Sequence, residues 1–270
     1  MPQPIIGVFD SGFGGLTVLR ALLPLIPGAQ YVYLGDTARL PYGAKSQATI
    51  ARYAVESARF LEQQGADLLV IACNTATALA LPEITAAVRI PVVGVIEPGA
   101  RAAHAVANSG AVLVLATSAT VQSHAYRETC ARLGVQATEM ACPLLVPLVE
   151  EGWTDHPVTR DVLRIYLSEA LAKCSPQAVL LGCTHYPLIA QPIESMLREL
   201  GSQARVVDSA QATAQATADT IATRLGQLPT TSAPATFKCY ATDSVEKFQR
   251  LGSLFLQHPI EDIQLLDIGG

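Results

Sequence analysis

The sequence has no Cys-x-x-Cys pair, no cluster of lysines and arginines, and no apolar run near the roughly eighteen residues a membrane helix needs. Without Cys-x-x-Cys, neither a zinc knuckle nor a thioredoxin-type site is indicated. Without a basic cluster, and with a net charge of −5, nothing attracts phosphate backbones or anionic lipid. Neither a nucleic-acid partner nor a membrane partner is therefore expected. Only four lysines occur (Lys45, Lys173, Lys238, Lys247), and none has the setting of a Schiff-base lysine, which argues against pyridoxal phosphate. Met1-Pro2-Gln3-Pro4 lacks the basic start of an export signal, and the apolar stretch after it stops at Asp10. The six scattered cysteines (Cys73, Cys130, Cys142, Cys174, Cys183, Cys239) accordingly read as reduced thiols in a cytoplasmic protein. Aromatic residues make up 6% and charged residues 15% of the chain.

What is present is apolar and regular. Half of the 270 residues are hydrophobic, enough for one large domain or two modest ones, and disorder is not expected. Short β-branched runs alternate with longer helical patterns, the signature of parallel sheets covered by helices, an α/β fold. Strands are predicted over 5–9, 31–34, 68–72, 92–96, 111–116, 178–181 and 205–207. Helices are predicted over 46–64, 120–133, 157–173 and 187–200, with Gly65 and Gly134 at C-caps. After Leu228 the pattern is less regular, and 237–241 and 263–266 are weaker strand candidates.

An internal repeat organises these elements. Leu69-Val70-Ile71-Ala72-Cys73-Asn74-Thr75 resembles Val179-Leu180-Leu181-Gly182-Cys183-Thr184-His185, each a buried-type strand ending in cysteine and polar residues. Glu97 ends a strand 24 residues after Cys73, and Asp208 ends one 25 residues after Cys183. Upstream, Asp10 precedes Cys73 by 63 residues and Thr117 precedes Cys183 by 66. Two similar halves follow, with strand ends facing each other. Ligands of open α/β sheets bind beyond the carboxyl ends of strands, so Cys73 and Cys183 are expected on opposite walls of one cleft.

Each candidate has a blander reading. Asp10-Ser11-Gly12-Phe13-Gly14-Gly15 follows a strand and opens a helix, where glycines admit an anion to backbone amides. Its spacing is not that of a dinucleotide fingerprint, and Asp10 alone could be an N-cap. Pro41-Tyr42-Gly43 fits a turn as well as a binding loop. In Cys73-Asn74-Thr75, the amide and hydroxyl could hold a carboxylate beside the thiol, whereas an isolated cysteine would be a packing residue. Cys183-Thr184-His185 adds a base two residues from a thiol; a cysteine hydrolase or a metal site are its alternatives, though one Cys-x-His supplies only two ligands. Glu150 reads as a helix-end carboxylate. Cys130, Cys142, Cys174, Cys239, His104, His124, His156 and His258 read as packing or surface.

A hydrolase needs one nucleophile, one base and an oxyanion hole. Two equivalent thiols suit a reaction nearly symmetric about its centre. Racemisation of an amino acid is such a reaction: one group removes the α-proton and the other returns a proton to the opposite face. The two thiols would then be in opposite protonation states, with Asp10, Glu150 and His185 as proton-handling neighbours.

Together, Phe9-Asp10-Ser11-Gly12-x-Gly14-Gly15-Leu16, Pro41-Tyr42-Gly43, Cys73-Asn74-Thr75-Ala76, Pro147-Leu148-Val149-Glu150 and Leu181-Gly182-Cys183-Thr184-His185-Tyr186-Pro187 resemble the bacterial glutamate racemases, from Ile6 to about Leu225. The resemblance implies conversion of L-glutamate to D-glutamate for peptidoglycan, without cofactor or metal. It implies Cys73 and Cys183 as the acid/base pair, assisted by Asp10, Glu150 and His185. Substrate contacts carry over to Asp10, Ser11, Pro41, Tyr42, Gly43, Cys73, Asn74, Thr75, Thr117, Thr120, Cys183, Thr184 and His185. Ala116 stands where the family usually has glycine, with little consequence expected. The implied fold is two open parallel-sheet domains related by a pseudo-two-fold axis, one of residues 1–97 completed by 208–270, the other of 98–207. A homodimer is frequent in the family. Activation by a cell-wall precursor, seen in members with an N-terminal extension, is not expected. An aspartate racemase would match these motifs more loosely, a cysteine amidohydrolase needs only one of the thiols, and a gyrase-binding role would at most be an addition.

Overall fold

The computed structural model describes residues 3–225 and 235–268. Met1 and Pro2, where the N-terminal reading began, and 229–234, where the irregular tail begins, lie outside them. Among the described residues, ten strands form two wholly parallel sheets. The first holds β1 (Ile5–Asp10), β2 (Gln30–Gly35), β3 (Leu68–Ile71), β4 (Val92–Gly94), β9 (Thr236–Ala241) and β10 (Ile263–Leu265), in the order β10-β9-β2-β1-β3-β4. The second holds β5 (Ala111–Ala116), β6 (Ala137–Ala141), β7 (Pro176–Gly182) and β8 (Arg205–Asp208), in the order β6-β5-β7-β8.

The repeat is visible in these orders. β2-β1-β3-β4 and β6-β5-β7-β8 are one four-strand pattern used twice, and β9 and β10 extend the first sheet past β2. Parallel strands need helices on both faces, so the central ones are apolar throughout. All four residues of β3 are buried, and so are the last five of β5. Each such Leu, Ile or Val contributes roughly 1.5–3 kcal/mol relative to exposure.

Four elements depart from the sequence expectation. The strand expected over 92–96 stops at Gly94, and Ile96 and Glu97 open a helix, so Glu97 does not end a strand. β6 carries Thr138 and Glu139 at its centre and shows no apolar run, so only its place as the counterpart of β2 betrays it. The helix expected over 120–133 is two, α5 (Ser118–Ser123) and α6 (Ala125–Arg132), because His124 between them is left-handed at φ 58°. The helix expected from Pro187 begins with a 3-10 turn, Tyr186–Ile189, before α9 (Ala190–Glu199). Gly65 and Gly134 have positive φ at helix ends, as their capping role requires.

The other helices are α1 (Leu16–Leu25), α2 (Gln47–Gln63), α3 (Asn74–Ala87), α4 (Ile96–Ala107), α7 (Leu145–Glu150), α8 (Pro157–Leu171), α10 (Ser209–Leu225) and α11 (Val245–Leu256). The largest core cluster spans both sheets: Ile6 and Val8 of β1 share it with Leu113 and Leu115 of β5, Val179 of β7 and Ala214 and Ile221 of α10. α10 packs on both α1 and α4, tying the two halves together. Among the described residues no helix is long and apolar enough to cross a membrane.

Candidate active site

The carboxyl ends of β3 and β7 deliver Cys73 and Cys183 to one cavity of about 720 Å³. Ser11, Asn74 and Thr75 line it from the first sheet's side, and Thr117, Thr184, His185 and Glu150 from the second's. Pro41, Tyr42 and Gly43 complete the wall. Asp10 and Thr120 are buried behind that lining, at 1% and 0% exposure.

Cys73 is the N-cap of α3, its sulfur accepting from the Ala76 N–H at 3.4 Å, while its thiol donates to Ser11 Oγ at 3.5 Å. A helix N-terminus favours a thiolate. Here burial and the neighbouring charge of Asp10 oppose it more strongly and push the thiol up to about 12. Cys73 is therefore a protonated thiol at neutral pH. Burial also raises Asp10 above the ordinary carboxylate range, against the pull of His185 and of backbone N–H groups from Gly15, Gly12 and Ser11.

Those backbone contacts revise the reading of the glycine loop. The anion at this helix start is Asp10 itself: its Oδ2 accepts from Gly12 N at 2.9 Å. The glycines serve close packing. A methyl group on Gly12 would meet Leu40, and one on Gly15 would meet Asp10 and Ala72. At Gly14 it would strike the Thr184 hydroxyl and come within 2.6 Å of His185 Nδ1, so this glycine is where the first half abuts the second.

The Cys183 wall is built differently. His185 Nδ1 lies 3.9 Å from the Cys183 sulfur, and its Nε2 lies 3.2 Å from Glu150 Oε1. With the Cys183 sulfur and the Thr184 hydroxyl at Nδ1 and the Glu150 carboxylate at Nε2, a doubly protonated imidazolium fits. Burial works against that charge, but hydrogen bonds to Cys183 and Glu150 raise His185 to about 10. Burial likewise disfavours the Glu150 carboxylate, yet His185 and then Lys247 outweigh it and hold Glu150 below its usual range. Lys247 Nζ, on α11, stands 3.5 Å from Glu150 Oε2 and 5.5 Å from the Phe13 ring centre. Phe255 closes the far side of the imidazole, with ring centres 5.0 Å apart.

Hydroxyls and a buried ion pair fix the remaining wall. Thr75, Thr117 and Thr120 form a triangle of Oγ1 contacts at 2.9, 3.0 and 3.2 Å. Behind the 41–43 loop, Tyr42 donates to Asp36 Oδ2 at 2.5 Å. Arg39 contacts both Asp36 oxygens through Nε, and Thr242 donates to Asp36 Oδ1. Arg39 also reaches Glu56 and stacks over Tyr53 at 4.1 Å.

Sequence reasoning missed Lys247, Arg39 and Thr242, whose partners lie far along the chain or inside an unremarkable turn. It also passed over Tyr126, one aromatic on a helix, whose partner is 52 residues away. Of the cysteines and histidines read as packing or surface, Cys130, Cys142 and Cys239 are buried, Cys174 is partly buried and His258 is exposed, His156 stacks on Trp153 while capping α8, and His124 contacts Glu139 at 3.1 Å. Among the described residues no three His, Cys, Asp or Glu side chains gather as a metal site.

Comparison with known proteins gives the family and the fold. The model of the Asp/Glu/hydantoin racemase family matches residues 6–217. A glutamate racemase of Koribacter versatilis is 50% identical, over 99% of this chain and 99% of its own. A glutamate racemase isoform of Bacillus anthracis has a TM-score of 0.90 at 35% identity, covering 98% of this chain and 97% of that one. The glutamate racemase of Francisella tularensis, solved in complex with D-glutamate, has a TM-score of 0.88 at 34% identity and covers 98% of both chains. A family model that spans most of the chain and near full-length relatives at this identity leave one assignment: this chain belongs to the Asp/Glu/hydantoin racemases, among the glutamate racemases.

Proposed function

We propose that this protein interconverts L- and D-glutamate by two-base proton transfer between Cys73 and Cys183, without a cofactor. The observation that carries this reading is the pair of thiols, one from each sheet, lining a single cavity with unlike proton-handling neighbours. For one direction of the reaction Cys183, beside His185, acts as the thiolate, and Cys73, beside Asp10, acts as the thiol. The Cys183 thiolate takes the α-proton and becomes a thiol; the Cys73 thiol gives its proton to the opposite face of the carbanion and becomes a thiolate. Asp10 and the Glu150–His185 pair return the thiols to their starting states by exchange with solvent. From the reversed state the same steps run the other way. Ser11, Pro41, Tyr42, Gly43, Asn74, Thr75, Thr117 and Thr184 bind and orient the dicarboxylate, with Thr120 holding Thr75 and Thr117 from behind, and this supplies much of the barrier lowering for so weak a carbon acid.

The product would serve peptidoglycan synthesis in the cytoplasm. On this reading residues 1–97 with 208–270 form one domain and 98–207 the other, with the site between them. Purified protein incubated with each enantiomer of glutamate and of aspartate, followed by chiral separation, tests the activity. Racemisation of glutamate with a far lower kcat/KM for aspartate is expected, and comparable values would overturn the substrate assignment. Cys73→Ser and Cys183→Ser should each nearly abolish racemisation, and the losses should not add. In deuterated water the inverted product should carry solvent deuterium well before recovered substrate does. Full activity with either cysteine replaced, or equal early labelling of both pools, would defeat the two-base assignment.

A further inference from the structure

Asn74 sits beside Cys73, lines the cavity and is 3% exposed, yet its amide nitrogen has no hydrogen-bond partner. A buried unpaired N–H donor costs about 1–3 kcal/mol, so one kept at a ligand cavity points to a ligand acceptor. The other end of the same amide is held firmly. Tyr126, fully buried on α6 in the second half, donates its hydroxyl to Asn74 Oδ1 at 2.6 Å. A phenol has one proton. Tyr126 gives that proton to Asn74, so the amide presents its oxygen to Tyr126 and its nitrogen away from it.

The ring has little freedom to turn. Its Cε2 lies 3.0 Å from where a Cβ on Gly182 would stand, and its hydroxyl 3.5 Å from one on Gly99. Two glycines thus give the ring its slot, one of them the residue before Cys183.

We propose that Tyr126 is a positioning residue for substrate binding: it locks the Asn74 amide so that its N–H donors face a carboxylate of the amino-acid substrate. A flipped amide would turn its oxygen toward that carboxylate and repel it. The inference rests on the reading of this cavity as the glutamate site, and it adds a residue that reaches the substrate only through another. It also makes the binding geometry of the Cys73 wall depend on a side chain from the Cys183 half.

The test is a kinetic cycle with Tyr126→Phe, Asn74→Ala and the double variant, measured with both enantiomers of glutamate. A hydrogen bond to a charged group corresponds to roughly tenfold or more in binding. Tyr126→Phe should raise KM about tenfold for both enantiomers and leave kcat within about twofold. In the Asn74→Ala background it should change nothing further. Asn74→Asp keeps the shape and the bond from Tyr126 but puts an anion where the donors were, so it should bind worse than Asn74→Ala. An unchanged KM in Tyr126→Phe, effects that multiply in the double variant, or an Asn74→Asp enzyme that binds as well as the parent would each overturn the proposal. The last needs only Asn74→Asp to fold. An unaltered protein inactive on glutamate would instead defeat the substrate reading itself.

Discussion

A methyl group added at Gly14 would collide with Thr184 and His185, and neither can retreat easily, since His185 is held by Glu150 and boxed by Phe255. Gly14→Ala is expected to leave a folded protein with kcat reduced by about tenfold or more, read by racemisation alongside a circular-dichroism spectrum, since small misplacements of a catalytic group carry such losses. The charge on His185 sets a second expectation. Its folded value, about 10, lies above the free imidazole's 6.5. The ion pair's contribution is therefore complete below about 6.5 and is lost as pH rises toward 10. Activity that needs the imidazolium beside Cys183 falls on the same alkaline limb. Glu150→Gln removes a bond and a charge that raise His185 and takes from Lys247 its carboxylate partner, while Cys183 and Asp10 still act on the ring. The alkaline limb of kcat/KM should move to lower pH, and an unmoved limb would remove Glu150 from the relay. At this scale the sequence is readable where chemistry sits on consecutive residues: Cys73-Asn74-Thr75 and Cys183-Thr184-His185 advertise themselves. The Glu150–Lys247 contact spans 97 residues and leaves no local trace.

Elements carry the site by where they stop. β1, β3, β5 and β7 end at Asp10, Ile71, Ala116 and Gly182, and the first polar residues beyond them are the ones that face or back the cavity. Strand ends of this kind are legible because buried parallel strands are apolar until they finish. The 41–43 loop is not, since its shape depends on Asp36 and Arg39, and a lone Asp and Arg three residues apart look like any surface turn. Their burial decides their weight: Asp36 is 0% exposed at its side chain and Arg39 11%. Removing one partner leaves the other charge uncompensated in the interior, which typically costs about 3–5 kcal/mol. Arg39→Met should lower the urea midpoint accordingly and raise KM for glutamate as Tyr42 and Gly43 lose their anchor. A stable variant with unchanged KM would make the pair irrelevant to the loop.

On the scale of the molecule, a duplicated four-strand pattern suggests two units, and the sequence repeat conveys that much. It does not convey how they are joined, because the joining residues are ordinary apolar ones. Ile6, Val8, Leu113, Leu115 and Val179 belong to one continuous cluster, and α10 packs against helices of both halves. Each half also has a smaller cluster of its own, around Phe9, Leu34 and Ile71 in the first and Val112, Val114 and Leu180 in the second, but the largest one is shared, so neither half can lose its packing without exposing the other's. Unfolding is therefore expected as a single calorimetric transition, with van't Hoff and calorimetric enthalpies equal, in spite of the two sheets. Because the cavity draws its lining from both halves, a bound ligand should stabilise them together. At a free concentration one hundred times Kd, glutamate should add about 2.7 kcal/mol, a rise in Tm of several degrees for a chain of this length. The whole transition should move without splitting. Two resolved transitions, or a glutamate-dependent shift confined to one of them, would mean that the halves fold independently and that the cavity belongs to only one.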